Sequence, residues 1–146
     1  MRRPLTRSAL RAAAFAAALG LAAGIALGRT TYPPLEVLLK AGHSVLEQPF
    51  AYPGGQPQVT AAIVTLMPGQ ETGWHRHEVP LLGYILEGAL TVDYGPAGSR
   101  TYEAGDAFLE AFGSDHDGRN AGDVPMRLLA VYMGAEGVPN TVMRTD

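Results

Sequence analysis

The chain has 146 residues, 47% of them hydrophobic, and no cysteine. That length suggests one domain, and the lack of cysteine excludes a disulfide framework and thiolate chemistry. The formal net charge is −3; Arg2, Arg3, Arg7 and Arg11 lie before residue 28 and all 14 acids after it, so the remainder carries −7. An acidic domain gives nucleic acid no basic face to bind and anionic lipid no attraction.

Residues 1–11 are basic, and residues 12–28, AAAFAAALGLAAGIALG, are uncharged, small and apolar. A basic stretch followed by an apolar one reads as a secretory signal. Small residues at Gly24, Ala26 and Gly28 offer cleavage points. The apolar run lies at the short end of the spanning range of about 17–25 residues, so an uncleaved N-terminal anchor helix is the rival expectation. The Arg2-Arg3 pair suggests the twin-arginine route, but Pro4 and Leu5 depart from that signal. Either way the domain at 29–146 is expected to be periplasmic or secreted, touching a membrane only through residues 1–28.

Beyond that leader, Pro33-Pro34 and LEVLLKAGH predict an extended lead-in, then a short strand or helical turn. VTAAIVTLM (59–67) is rich in β-branched residues and stops at Pro68-Gly69. LLGYILEG (81–88) follows. LTVDY (90–94) alternates apolar and polar, the pattern of a half-buried strand. GPAGS (95–99) and Gly105-Asp106 are turn signals. RTYEAG, AFLEAF, the segment after His116 and MRLLAVYM (126–133) complete a series of short strands. Strands and turns at this spacing predict an all-β sandwich or barrel.

GWHRHEVPLLGYILEG (73–88) holds two of the four histidines. Residues two apart on a strand share a face, so His75 and His77 should project together with Arg76 opposite. The pair alone is weak evidence, since two exposed histidines would look the same. His116, in AFGSDHDGRN, again follows a turn and opens a strand. Three imidazoles brought together by neighbouring strands make a facial nitrogen site for a divalent transition metal: Fe, Zn, Mn, Ni or Cu.

These two segments resemble the motifs of the cupins, small jelly-roll barrels also described as double-stranded β-helices. The first cupin motif is a Gly, five residues, H-x-H, three or four residues, Glu, six residues and Gly. Gly69, His75, His77 and Gly88 are similar to it. The second is a Gly, five residues, P-x-G, two residues, His, three residues and Asn. Gly105, Gly113, His116 and Asn120 match it, with Ala111 in place of Pro. The resemblance spans about 57–133. It implies a single-domain cupin barrel, a metal at the histidines, a small-molecule ligand or substrate and a homodimer. It also implies a glutamate ligand that is missing, because Leu81 stands at that position.

Three readings of the gap stay open. The site works with three histidines alone, as in the iron-dependent thiol and diketone dioxygenases among cupins; Glu110 supplies a substitute carboxylate; or the metal site is degenerate and the barrel only binds a small ligand. The first two imply a metal-dependent oxygenase, isomerase or hydrolase. Glu78 directly follows His77 and should point away. Glu87, Asp115, Asp117, Arg76 and Arg119 are expected at the solvated surface, with His43 structural or exposed. Trp74 and Tyr84 are expected at a pocket mouth or on the outer face. Asn120 is expected to serve a turn or strand pairing.

Overall fold

The computed structural model describes residues 34–145, and the signal or anchor expected over 1–28 lies outside them. The compact unit carrying every strand begins at Val37. PQVTAAIVTL forms the first long strand, β1 (Pro57–Leu66). Its β-branched residues suit a pleated surface, and Pro68-Gly69 ends it because proline cannot donate to the ladder. Then come β2 (His75–Arg76), β3 (Leu81–Glu87), β4 (Ala89–Asp93), β5 (Ser99–Glu103), β6 (Ala107–Leu109), β7 (Asp117–Arg119), β8 (Met126–Ala135) and β9 (Val142–Met143). A 3-10 turn at Gly95–Ala97 connects β4 to β5. The described residues are thus all-β, consistent with a jelly roll.

Every pairing is antiparallel. One sheet has the order β1-β8-β3-β6, a second β5-β4-β7, and β2 pairs with β9 alone. Alternation decides what each sheet buries. Leu81 and Ile85 of β3, Leu128 and Ala130 of β8, and Leu90 and Val92 of β4 turn inward into one apolar cluster. Burying such side chains is worth roughly 1.5–3 kcal/mol each, so the two larger sheets are held face to face by this cluster.

A bulge in the β3–β8 ladder between Ile85 and Glu87 ends that inward face at Gly88. Gly88 has φ +70°, and a Cβ there would lie 2.6 Å from the Pro125 carbonyl oxygen. The last glycine of the first motif is therefore fixed twice, by a left-handed backbone and by the close approach of the chain entering β8. Gly83 answers to a different neighbour, because a Cβ there would meet the Phe108 ring at 2.5 Å. Its absence lets Phe108 lie stacked on Tyr102, with centroids 3.9 Å apart.

The lead-in departs from expectation. Residues 34–42 carry neither strand nor helix, and an isolated bridge joins His43 to Pro49. The segment is anchored instead by polar contacts. The Val45 N–H donates to the Leu109 carbonyl at 2.9 Å. The Gln48 side-chain amide donates to the Phe112 carbonyl at 3.0 Å and the Ser114 hydroxyl at 3.1 Å. The lead-in thus braces the loop that delivers His116. No local periodicity encodes such contacts, because their partners lie far along the chain.

Replacing Gly88 by Ala should destabilise the domain by about 2 kcal/mol or more, the sum of a strained left-handed residue and a backbone clash. Gly98, with φ +83° but nothing within 4 Å, should lose less on the same change. Equal losses in urea denaturation would refute the close-approach account.

Candidate metal centre

The two motifs meet through their backbones. The His75 N–H donates to the His116 carbonyl at 3.0 Å and the His116 N–H returns to His75 at 2.8 Å. This isolated bridge sets the two rings 4.5 Å apart between centroids. The His77 carbonyl accepts the Gly113 N–H at 2.8 Å, fastening the second motif's loop to the first. The expected geometry holds: His75 and His77 point inward, 8% and 4% exposed, while Arg76 between them points out. His116 is 2% exposed.

Each imidazole is oriented by a backbone carbonyl at Nδ1. The partners are Gly73 at 2.7 Å for His75, Asn140 at 3.0 Å for His77 and Ser114 at 3.0 Å for His116. A carbonyl can only accept, so each ring donates from Nδ1 and leaves the Nε2 lone pair free. The ligand atoms of the three rings lie within 4.8 Å of one another, and among the described residues this is the group that could hold a metal ion. Neutral imidazole with its second nitrogen donated to a carbonyl is the form a metal requires. The donor set therefore fits a divalent ion.

Electrostatics keep the cluster neutral. Burial lowers the pKa of all three histidines against their backbone hydrogen bonds, with His77 falling to about 3. Beside His116 and next to Leu81 stands Glu110, 4% exposed, with Oε2 at 4.0 Å from His116 Nε2. Burial pushes its carboxyl up to about 7, although hydrogen bonds to Oε1 from the Tyr94 hydroxyl (2.8 Å) and the Ala111 N–H favour the carboxylate. Glu110 borders the site, yet it is outside the group whose ligand atoms cluster. Leu81, at the family's glutamate position, points into the same space. The cavity measures about 60 Å³; its apolar wall includes Val64, Leu81, Val92 and Leu128.

Other expectations divide. His43 and Glu87 are exposed, and Asn120 is a buried bracket whose amide donates to the Leu66 and Val124 carbonyls. Arg76 pairs with Glu78 at 2.7 Å and approaches Asp115 at 3.9 Å, all partly exposed. Arg119 is exposed, Tyr84 half-buried on the outer face, and Trp74 half-buried beneath Arg144. Asp117 lies on the outward face as the register partner of exposed Asp93, yet it is half-buried and accepts the Thr72 hydroxyl at 3.1 Å, which itself lies 3.4 Å from His75 Nδ1. Sequence reasoning missed Thr72, Tyr94, Asn140 and Thr141. Two of the three orienting carbonyls lie two residues before their histidine, a local signal that was available. The third, at Asn140, is 63 residues away from His77 and had none.

The cupin domain family profile matches residues 62–132. Residues 62–132 are a cupin domain. Solved structures agree on the fold. An uncharacterised Klebsiella pneumoniae protein with a double-stranded β-helix domain is similar at 18% identity and TM-score 0.51, over 66% of this chain and 86% of that one. Lactobacillus farciminis oxalate decarboxylase, solved as a formate complex, matches at 24% and 0.51, over 58% of this chain and 26% of its own. An oxalate oxidase matches at 25% and 0.51, over 58% of this chain and 45% of its own. The cupin chain thus spans less than half the length of either oxalate enzyme. No protein of curated function matches the sequence.

A pH dependence follows from the shifts. Histidines whose folded pKa lies below 6.5 take up protons first in the unfolded chain, so metal-free protein loses stability as pH falls below 6.5, each by at most about 1.4 kcal/mol per pH unit. Glu110 acts oppositely. Its raised pKa keeps a proton in the fold that the unfolded chain has lost, so its contribution is full below pH 4.5 and gone above about 7. Three histidines outweigh one carboxyl, and urea midpoints of metal-free protein should drop between pH 6.5 and 4.5. Glu110→Gln should steepen that drop; a flat profile in both proteins would contradict the buried, neutral cluster.

Proposed function

We propose that this cupin is a mononuclear metal protein of the cell envelope, acting on a small polar molecule with oxygen donors. The observation that carries this is the convergence of three buried, neutral imidazoles with Nδ1 already committed to carbonyls. His75, His77 and His116 would hold the ion, which is Fe, Zn, Mn, Ni or Cu by donor type. Such an ion supplies Lewis acidity, polarising a bound oxygen group or lowering the pKa of water.

The chain's own residues fill the remaining roles. Leu81 adds apolar wall where a carboxylate would have neutralised one unit of charge, so the site keeps its attraction for an oxygen-bearing or anionic ligand. The apolar lining excludes bulk water and strengthens every charge interaction inside. Glu110 Oε2 faces the cavity beside His116, placed to take a proton from a bound hydroxyl or return one. The cavity of about 60 Å³ has room for only a few non-hydrogen atoms. Oxygenase, isomerase and hydrolase chemistry all fit these parts. The likeness to oxalate oxidase makes oxalate the first substrate to assay.

The resident metal is tested by expressing the full chain in a Gram-negative host and analysing the protein from the periplasm. About one equivalent of a single transition metal is expected, with His116→Ala reduced to a few per cent of that. Protein that takes up no metal even after incubation with Fe, Zn, Mn and Ni would be a non-catalytic ligand-binding barrel. Recovery from the cytoplasm alone would end the envelope assignment.

The homodimer implied by the family finds support on the outward face of the β1-β8-β3-β6 sheet. Val59 and Ile63 of edge strand β1 are 67% and 47% exposed. Their register partners on β8, Met133 and Leu129, are half-buried on the same face. Two copies packed through this face would bury on the order of 1,000 Å² in total, the threshold for a specific interface. Light scattering should give a dimer for the parent and a monomer for Val59→Asp/Ile63→Asp, with the metal content of both unchanged. A monomeric parent would rule the interface out.

A further inference from the structure

After β8 the chain reverses at Gly137, φ +76°, and returns across the site. Val142 and Met143 form β9, which pairs with β2 in the register Arg76↔Val142 and His75↔Met143. The Arg144 N–H donates to the Trp74 carbonyl at 2.9 Å. Between the turn and β9, two groups converge on one ring nitrogen. His77 Nδ1 lies 3.0 Å from the Asn140 carbonyl and 3.2 Å from the Thr141 hydroxyl. His75 and His116 receive the equivalent contact from their own loops, two residues back. His77 alone of the three takes its orienting carbonyl from a distant segment, one held to the rest by the two-residue β9, by the Arg144–Trp74 backbone bond and by Arg144 over the Trp74 ring.

We propose that residues 138–145 are a strap whose docking and metal binding at His77 are coupled, each strengthening the other. The inference rests on the metal-centre reading above. Docked, the Asn140 carbonyl fixes the Nδ1–H tautomer and presents the Nε2 lone pair to the cluster. Undocked, His77 loses its orienting acceptor, and its ring is free to rotate and to place the proton on Nε2, where it blocks a metal. Loss of such an outer partner typically weakens metal affinity about 10–100-fold. Coupling is reciprocal, so bound metal must suppress opening of the strap by the same factor. Asn140 and Thr141 are accordingly positioning residues acting through His77.

The experiment uses the full chain and Zn2+ as probe. Chelator competition gives the Zn2+ Kd of the parent, of Thr141→Val and of a chain ending at Gly137. Hydrogen exchange follows the Arg144 amide in the strap and the Ile85 amide in the core, with and without Zn2+. The shortened chain should bind about 10–100-fold more weakly, with Thr141→Val in between. Nitrogen chemical shifts of His77 in the metal-free shortened chain should report both tautomers, where the parent holds one. In the parent, Zn2+ should slow Arg144 exchange by the factor lost on shortening, whatever happens at Ile85. An unchanged Kd in a folded shortened chain, or Arg144 exchange indifferent to Zn2+, removes the strap while leaving the metal centre intact. If the shortened chain does not fold, the parent's exchange data decide alone. A parent that binds no Zn2+ overturns both.

Discussion

Three imidazoles buried within a few ångströms of one another disfavour a second proton on any ring, and this constraint organises the site. Desolvation penalises the cation, and a second charge nearby penalises it further. The fold meets the constraint by giving every Nδ1–H a backbone carbonyl, so that each ring is held in the tautomer that leaves Nε2 bare. The reciprocal backbone bridge between His75 and His116 then fixes the spacing of two rings without help from any side chain. A cluster built this way is arranged for a cation before one arrives. Little of the binding energy of an ion would go into reorganising its ligands.

Leu81 changes what that cluster offers. A carboxylate at this position would halve the charge of a divalent ion and occupy one of its open positions. Leucine does neither, and its side chain joins the apolar wall. The acid function sits instead just past the end of the neighbouring strand β6, at Glu110, whose N–H donates to the Leu81 carbonyl at 2.9 Å and whose Oε1 is tethered by Tyr94 and Ala111 with Oε2 left toward His116. Tyr94 in turn contacts Tyr102 at 3.1 Å, so the carboxyl sits at the inner end of a hydrogen-bonded chain of phenols. Burial holds that carboxyl near the point where it can carry a proton or release one. Ligand duty and proton duty are thereby separated onto different residues.

The barrel holds these parts by devices that differ in range. The apolar cluster joins the two larger sheets and supplies the dry walls. Gly88 and the bulge before it turn the chain from one sheet to the other at a point where no side chain fits. Gln48 and Asn120 act as polar brackets, one gripping the loop before His116, the other tying the end of β1 to the approach to β8. The strap is attached through β9 and the Arg144–Trp74 backbone bond, and it reaches His77 from a segment far along the chain.

The amino-acid sequence by itself determined the strand series, the inward pair His75 and His77 with Arg76 outward, the third histidine and the vacancy at Leu81. Alternation, turn residues and motif spacing are local, and they act within a few residues of where they are written. It also contained the carbonyls of Gly73 and Ser114, two positions before their histidines, as a pattern open to notice. Only the tertiary structure decided that Glu110 faces His116, that Asp117 bonds the Thr72 hydroxyl, that Gln48 braces a loop 64 residues on, and that Asn140 orients His77. Each of those is a single polar contact between segments far apart in the chain. No periodicity announces such a contact, because its partner is chosen by how the sheets close and not by its neighbours in sequence.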